Sequence, residues 1–245
     1  SHMILTTTRQ PNLLYRDRRW QKRARYLSQP GFRGGYPPAL SRKTAHQMLG
    51  IDPTTTFVYL CLAHLHIERE LIFLLEAFQS LTQGNRSNKS LPNIQLLLVG
   101  YPADGQPSQR LLKLVEHDSA ICFHDSAYRL NDLPQYMGAC DTLVLPHLAV
   151  HTSGSLENAG IALSYERFVV APDLPRFSGM LPHRASVPYM PGSRESLAEA
   201  LVKVQQIDFA LLPDESAALD FQQSWENYTH SLFKIYRELL GQTPS

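Results

Sequence analysis

The sequence predicts an α/β fold in which helices cover both faces of a doubly wound, mostly parallel sheet of six strands. Two observations carry this prediction. Short apolar runs alternate along the chain with longer segments whose apolar residues recur at helical spacing. The short runs are apolar at nearly every position, which is typical of parallel strands buried on both faces. This alternation is Rossmann-like, although one sequence does not determine the order of the strands in the sheet.

The predicted elements follow one another from residue 41 onward. Strands are predicted at residues 57–62, 94–99, 120–123, 142–145, 168–171 and 186–189. Helices are predicted at residues 41–49, 70–81, 108–116, 131–137, 156–165 and 195–204. Gly50 is a candidate C-cap of the first helix, since glycine readily adopts the left-handed conformation used there. The tail after Pro213 is predicted to be a further helix, with an apolar stripe formed by Trp225, Tyr228, Leu232, Ile235, Tyr236 and Leu239.

The first 36 residues differ in kind from the rest. Residues 1–3 are typical of the remnant of a cleaved expression tag, which suggests a piece of a longer protein. A basic strip follows, in which aromatic residues separate Arg16, Arg18, Arg19, Lys22, Arg23 and Arg25. Such a strip can bind RNA or lipid headgroups, but a solvated extension or a strip packed on a neighbouring domain is favoured. We therefore divide the chain into residues 1–36, a globular domain at 37–212 and a helical tail at 213–245.

Composition excludes several classes of protein. The 245-residue chain has a net charge of +1, so no basic excess indicates nucleic acid as a partner. No apolar run is long enough to span a bilayer, and the N-terminus lacks the pattern of a signal peptide. Cys61, Cys122 and Cys140 lie in or beside predicted strands and are expected to be reduced core thiols. We therefore expect a cytoplasmic protein.

The most informative segment lies between the fourth predicted strand and the helix after it. Thr152, Ser153, Gly154 and Ser155 are small residues that lead directly into an apolar helix. Unpaired backbone N–H groups and the positive end of the helix dipole would converge there, which suits a phosphate. The alternative is an ordinary connection in which a serine only caps the helix.

Polar residues also follow the first predicted strand, at the edge of the sheet where ligands bind in such folds. Ala63, His64, His66 and Arg69 lie in this segment. The guanidinium of Arg69 offers a phosphate both charge and two parallel donors, and His66 can assist when it donates a hydrogen bond. The alternative is that both side chains are solvated on a surface loop.

The next three strands are followed by further candidate residues: Gly100 and Tyr101, then His124 and Asp125, then His147 and His151. Because the ends of four strands converge at one rim of the sheet, their joint position indicates a binding site. A zinc site is disfavoured, since the histidines lack close paired spacing and cysteine partners.

Several enzyme classes lack their motifs in this chain. A Gly-x-Gly-x-x-Gly turn, a Gly-x-Ser-x-Gly elbow and a Walker loop are all missing, which disfavours dinucleotide-dependent dehydrogenases, hydrolases and P-loop enzymes. No Asp-x-Asp pair is present to clamp a metal-bound nucleotide sugar. Glu68 and Glu70 resemble such a pair only superficially, because carboxylates at the start of a helix are expected from its dipole.

Taken in order, these segments resemble the C-terminal, donor-binding domain of group-1 glycosyltransferases with the two-domain GT-B architecture. The resemblance rests on FVYLCLAHLHIERELIFLLEAFQSL, IQLLLVGYP, ICFHDSAYRLNDLPQYMGACDTLVLPH and TSGSLENAGIALSYERFVVAPDLPRF. The tail SWENYTHSLFKIYRELL is similar to the closing helix that returns to the N-terminal domain. The resemblance covers roughly residues 35–240, and it implies that an acceptor-binding domain is missing from this chain.

The resemblance implies transfer of a sugar from a nucleotide-diphosphate sugar to a glycan, lipid or other acceptor, usually with retention and without a metal or other cofactor. Arg69, helped by His66, would bind the diphosphate, and the backbone N–H groups of Ser153, Gly154 and Ser155 would cap it. The base and ribose would lie near residues 100–101 and 124–125, and His147 and His151 would face the sugar. The full-length protein would then work in the cytoplasm, with the inner face of the membrane as a further option.

Several positions depart from the family pattern. The family commonly has glycine, arginine and lysine at the positions of Ala63, His66 and Arg69. Many members also have glutamates at the positions of Ser153 and Ile161. Two alternatives therefore stay open. One is a catalytically silent module that binds a partner protein through the basic strip, and the other is a nucleotide-sugar epimerase of similar architecture.

Overall fold

The fold is built around one parallel sheet. The computed structural model describes residues 4–6, 24–26, 36–86, 93–125, 129–148, 155–174, 177, 181, 185–208 and 225–240. Of the eight described strands, the last six form this sheet: β3 Phe57–Leu62, β4 Ile94–Val99, β5 Ile121–His124, β6 Thr142–Val144, β7 Phe168–Pro172 and β8 Ser186–Tyr189. They pair in parallel in the order β5-β4-β3-β6-β7-β8. In sequence order of these strands the arrangement is 3-2-1-4-5-6, so the Rossmann-like prediction is confirmed.

Seven α-helices lie within the described residues. They are α1 Arg42–Leu49, α2 Glu68–Arg86, α3 Gln109–Glu116, α4 Leu133–Ala139, α5 Ser155–Ser164, α6 Arg194–Val204 and α7 Trp225–Leu239. Short 3-10 turns at Ala63–Leu65 and Leu130–Asp132 precede α2 and α4. Serines cap α1, α3 and α6, where the hydroxyls of Ser41, Ser108 and Ser193 accept a backbone N–H.

The core lies on both faces of the sheet. Every residue of β3, β4, β6 and β7 is buried, which is why these strands are apolar at nearly every position and lack a polar alternation. Gly50 ends α1 in the left-handed conformation, with φ of 66°, as its position in the sequence predicts. The buried apolar strands therefore form a rigid sheet, and the loops of the site follow directly from its strands.

Some features differ from the predictions or lie beyond them. A second, two-stranded parallel sheet joins β1 Ile4–Thr6 to β2 Ala24–Tyr26, and the sequence analysis did not anticipate it. Residues 7–23 lie outside the described residues, so most of the basic strip is untested. Three of the six residues in the predicted stripe of the tail helix are exposed, and only Ile235 of α7 is buried. No described helix is both long enough and apolar enough to cross a membrane.

Candidate functional site

The loops that follow the strands meet at the carboxyl edge of the sheet. Leu62, the last residue of β3, pairs with Val99 of β4, and Val99 pairs with His124 of β5. Because these three strands end in register, the segments after them begin side by side. This edge is where parallel α/β sheets bind ligands, so it is the candidate site.

A buried cluster of two histidines and one glutamate lies at this edge. His66 follows the 3-10 turn after β3, Glu70 lies in the first turn of α2, and His147 follows β6. Oε2 of Glu70 lies 3.1 Å from Nδ1 of His66 and 3.3 Å from Nδ1 of His147. The side chains of both histidines are 0% exposed and that of Glu70 is 1% exposed. The fold thus joins residues that are far apart in the sequence.

Charge in this cluster is set by burial and hydrogen bonding. Burial raises the pKa of the Glu70 carboxyl, but hydrogen bonds from His147 and His66 outweigh it and hold that pKa below its usual range. Burial lowers the pKa of His66 below its ordinary value, although the hydrogen bond to Glu70 opposes this. At neutral pH Glu70 is therefore anionic and His66 is neutral.

Backbone contacts hold the cluster in place. The N–H of Leu148 donates to Oε1 of Glu70 at 3.2 Å, which ties α2 to the segment after β6. The hydroxyl of Tyr189 lies 2.8 Å from the carbonyl of Leu145 and 3.1 Å from that of His147. The segments after β3 and β6 are therefore linked through Glu70 and fixed from β8.

Glu70 is a member of the cluster that the sequence does not identify as a site residue. The helix dipole alone accounts for a glutamate at the start of a helix, whereas the structure buries Glu70 between two imidazoles. The spacing of four residues between His66 and Glu70 was the available signal, but His147 is 77 residues from Glu70 along the chain. The alternative of a solvated His66 is wrong, and direct contact of His66 or His147 with a ligand stays a prediction.

Arg69 lies on the other side of α2, facing solvent. It lines an open cleft of about 650 Å³ between α2, α3 and the start of α6, together with Leu148. Two other arginines of this cleft, Arg110 and Arg194, contact the same carboxylate of Glu76 at 2.9 and 2.8 Å. Leu148 is the last described residue before the small-residue loop, so the cleft joins Arg69 to the end of the described segment after β6.

The N-terminus of α2 is already occupied by protein groups. Asp104 accepts the N–H of Glu68 at 2.9 Å, and the Glu68 carboxylate accepts the N–H of Ser108 at 2.8 Å. Asp104 therefore caps the first amide of α2, and this amide is not available to a phosphate. The N-terminus of α5, which begins at Ser155, is the remaining candidate. His151, Ser153 and Gly154 lie outside the described residues, so their predicted roles are untested.

The candidates after β3, β4 and β5 are brought together on the neighbouring strand ends. Gly100 has φ of 96°, and a Cβ there would lie 3.5 Å from atoms of His64, so the glycine packs against that histidine. Nε2 of His124 lies 3.1 Å from the carbonyl of Leu49, which turns this side chain toward α1. Tyr101 is half-buried with its hydroxyl 3.5 Å from the carbonyl of Asp125, whereas Ala63 is fully buried.

Known proteins resemble this chain in sequence pattern and in fold. A family model for glycosyl transferases of group 1 matches residues 56–206. No curated protein matches the sequence of the chain significantly. Among solved structures, sucrose-phosphate synthase from Thermosynechococcus elongatus superposes with a TM-score of 0.70 at 18% identity, over 98% of this chain and 59% of that chain.

Two further structures are similar over nearly the whole chain. A glycosyltransferase from Rickettsia africae gives a TM-score of 0.74 at 12% identity, over 99% of this chain and 64% of that chain. HepE from Anabaena, solved in complex with UDP and glucose, gives 0.71 at 16% identity, over 97% of this chain and 64% of that chain. At these identities the likeness establishes the fold. The chain spans 59–64% of the length of these structures.

Proposed function

Because this chain belongs to the group-1 glycosyltransferases, whose family model matches residues 56–206, we propose that it binds the nucleotide-diphosphate sugar from which a sugar is transferred. The observation that carries the proposal is the cleft lined by Arg69 and by Leu148, the last described residue of the segment after β6. HepE, which has the same fold, was solved with UDP and glucose, and this supports a uridine nucleotide as one candidate donor.

The diphosphate would lie between Arg69 and the N-terminus of α5. Arg69 is exposed, so its guanidinium is able to form charge-assisted hydrogen bonds with phosphate oxygens. Ser153, Gly154 and Ser155 would add backbone N–H groups at the positive end of the helix dipole. Both contributions strengthen as negative charge develops on the departing diphosphate, which is how preorganised donors accelerate such a transfer. No metal is required at the diphosphate in this scheme.

The base and ribose would lie along the neighbouring strand ends. Gly100 and Tyr101 follow β4, and Asp125 follows β5, so this stretch of the edge extends away from the diphosphate. The exposed Asp125 and half-buried Tyr101 offer polar groups to a ribose. His147 is buried, so it would affect the sugar only through the groups that cover it. His151 would then be the histidine that faces the donor.

The acceptor would be bound largely by a further domain. The structures compared above are longer than this chain, which spans about three fifths of each. We therefore propose that this chain alone binds nucleotide weakly and transfers no sugar, and that the complete protein glycosylates a glycan, lipid or other acceptor in the cytoplasm.

Calorimetric titration of UDP, GDP and ADP tests the proposal. The loss of charge-assisted hydrogen bonds in Arg69→Ala should lower the affinity for the preferred nucleotide by roughly 10- to 100-fold. Lys203→Ala, which removes an exposed cation from the last turn of α6, should leave the affinity unchanged. Equal affinities of Arg69→Ala and the unmutated chain would remove Arg69 from the site. Failure of the complete protein to bind any nucleotide would instead favour the silent interaction module.

A further inference from the structure

We propose that His66, Glu70 and His147 form a binding site for one divalent transition-metal ion, with Zn²⁺ as the ion that best suits the donors. This inference does not depend on the proposed function, because it rests only on the three buried side chains. The ligand atoms that they offer all lie within 4.8 Å of one another.

The donor set has the chemistry that such an ion needs. Two imidazole nitrogens and one carboxylate oxygen are common ligands of Zn²⁺ in proteins, whereas Mg²⁺ and Ca²⁺ prefer sites made of oxygen alone. No lysine or arginine among the described residues forms an ion pair with Glu70. A divalent cation would therefore supply the positive charge that a buried carboxylate otherwise lacks.

The separations also fit coordination of a single ion. Oε2 of Glu70 is 3.1 Å from Nδ1 of His66 and 3.3 Å from Nδ1 of His147. Two atoms that each lie about 2.1 Å from one ion, at octahedral to tetrahedral angles, are roughly 3.0–3.4 Å apart. The two imidazole rings lie close together, with centroids 4.5 Å apart and planes inclined by 49°. Only small side-chain movements would be needed for the three groups to converge.

Neighbouring groups hold Glu70 and His147 in position. The N–H of Leu148 donates to Oε1 of Glu70, which fixes the carboxylate while Oε2 faces both imidazoles. Phe177 stacks on His147 with ring centroids 6.1 Å apart, and Tyr189 holds the backbone of His147. Such outer contacts position ligands and exclude water from a metal site.

Hydrogen bonding to Glu70 uses Nδ1 of each imidazole, and these are the same atoms that the ion would use. A cluster held by hydrogen bonds alone therefore has the same distances to Glu70. Stoichiometric binding of an ion separates the two arrangements.

The bound ion would connect three segments of the chain below the surface of the site. Its ligands come from the segments after β3 and β6 and from the first turn of α2, so one ion would connect all three. Because the three side chains are fully buried, this ion would not contact the diphosphate of a donor. Its role would be to hold the two loops together, which is distinct from a metal that binds the substrate.

Titration of the chelator-treated chain with Zn²⁺ and Co²⁺ tests the inference. We expect one equivalent of Zn²⁺ to bind by calorimetry and one equivalent of Co²⁺ to give visible ligand-field absorption. Glu70→Gln and His147→Gln, which keep similar volumes, should each weaken binding by at least about 100-fold. His117→Gln, at the exposed C-terminus of α3, should bind like the unmutated chain.

A second measurement remains informative even where a variant does not fold. Free Zn²⁺ at about 100 times its dissociation constant should raise the ratio of folded to unfolded unmutated chain about 100-fold, and this appears as a higher melting temperature. Absence of stoichiometric binding and of any shift in melting temperature would overturn the inference. Binding that survives in both Glu70→Gln and His147→Gln would overturn it as well, because the ion would then lie elsewhere.

Discussion

Replacing Glu70 with alanine should destabilise the chain far more than the same change at Glu76. Both glutamates lie on α2, and each contacts two side chains that can carry positive charge. The contacts of Glu70 are fully buried, whereas Glu76 is 27% exposed and its partners Arg110 and Arg194 are 68% and 55% exposed. Comparing the two variants therefore separates the effect of burial from the effect of contacting two basic side chains.

The magnitude follows from the groups that are left behind. In Glu70→Ala two buried imidazoles and the N–H of Leu148 lose their acceptor, and each buried donor left unsatisfied costs about 1–3 kcal/mol, so we expect a total of about 3–5 kcal/mol. In Glu76→Ala the arginines return to solvent, so the expected cost is below about 1 kcal/mol. The intrinsic helix propensity changes equally in both variants.

Urea unfolding of the metal-free chain measures the difference. With a slope of about 2.5 kcal/mol per molar urea, Glu70→Ala should lower the midpoint by roughly 1.2–2 M. Glu76→Ala should lower it by less than about 0.4 M. Equal shifts in the two variants would refute the reasoning, because Glu70 would then not be buried between the two histidines.

Three further predictions concern the frame around the site. Gly138→Ala should cost about 1–3 kcal/mol in thermal unfolding, since a Cβ there would clash with the carbonyl oxygen of Leu40; an unchanged melting temperature would contradict this packing. Tyr189→Phe should cost about 1 kcal/mol, because the carbonyls of Leu145 and His147 lose a donor, and calorimetry that finds no loss would contradict the role of the hydroxyl. Burial raises the pKa of Cys140 to about 12 and also raises that of Cys61, so both thiols should resist Ellman's reagent at neutral pH until the chain unfolds; rapid labelling would show that they are accessible.

Much of the frame was predictable because its signals are local. The strands at 57–62, 94–99 and 186–189 were placed with the bounds that the structure shows, since apolar runs between turn residues determine them. The capping serines and Gly50 marked helix ends for the same reason, because each acts on its own backbone. The helix α2 was predicted to start at Glu70, but it begins two residues earlier, where Asp104 from another loop caps it.

The site was less predictable because its contacts are not local. The burial of Glu70 depends on His147, which only the parallel pairing of β3 with β6 brings close. The sequence shows the apolar stripe of α7, yet it does not show what that stripe packs against, and three of its six residues are exposed in the structure. The positions of Arg69 and Leu148 in one cleft likewise follow from the packing of α2, α3 and α6, which no single segment determines.

Hydrogen–deuterium exchange with and without UDP tests most directly whether the diphosphate of a nucleotide binds where α5 begins. At saturating UDP, the peptides that cover residues 149–157 and 63–70 should exchange more slowly, because the amides of residues 153–155 and the side chain of Arg69 would hold the diphosphate between them. Protection confined to other parts of the sheet, with these two peptides unchanged, would contradict the account.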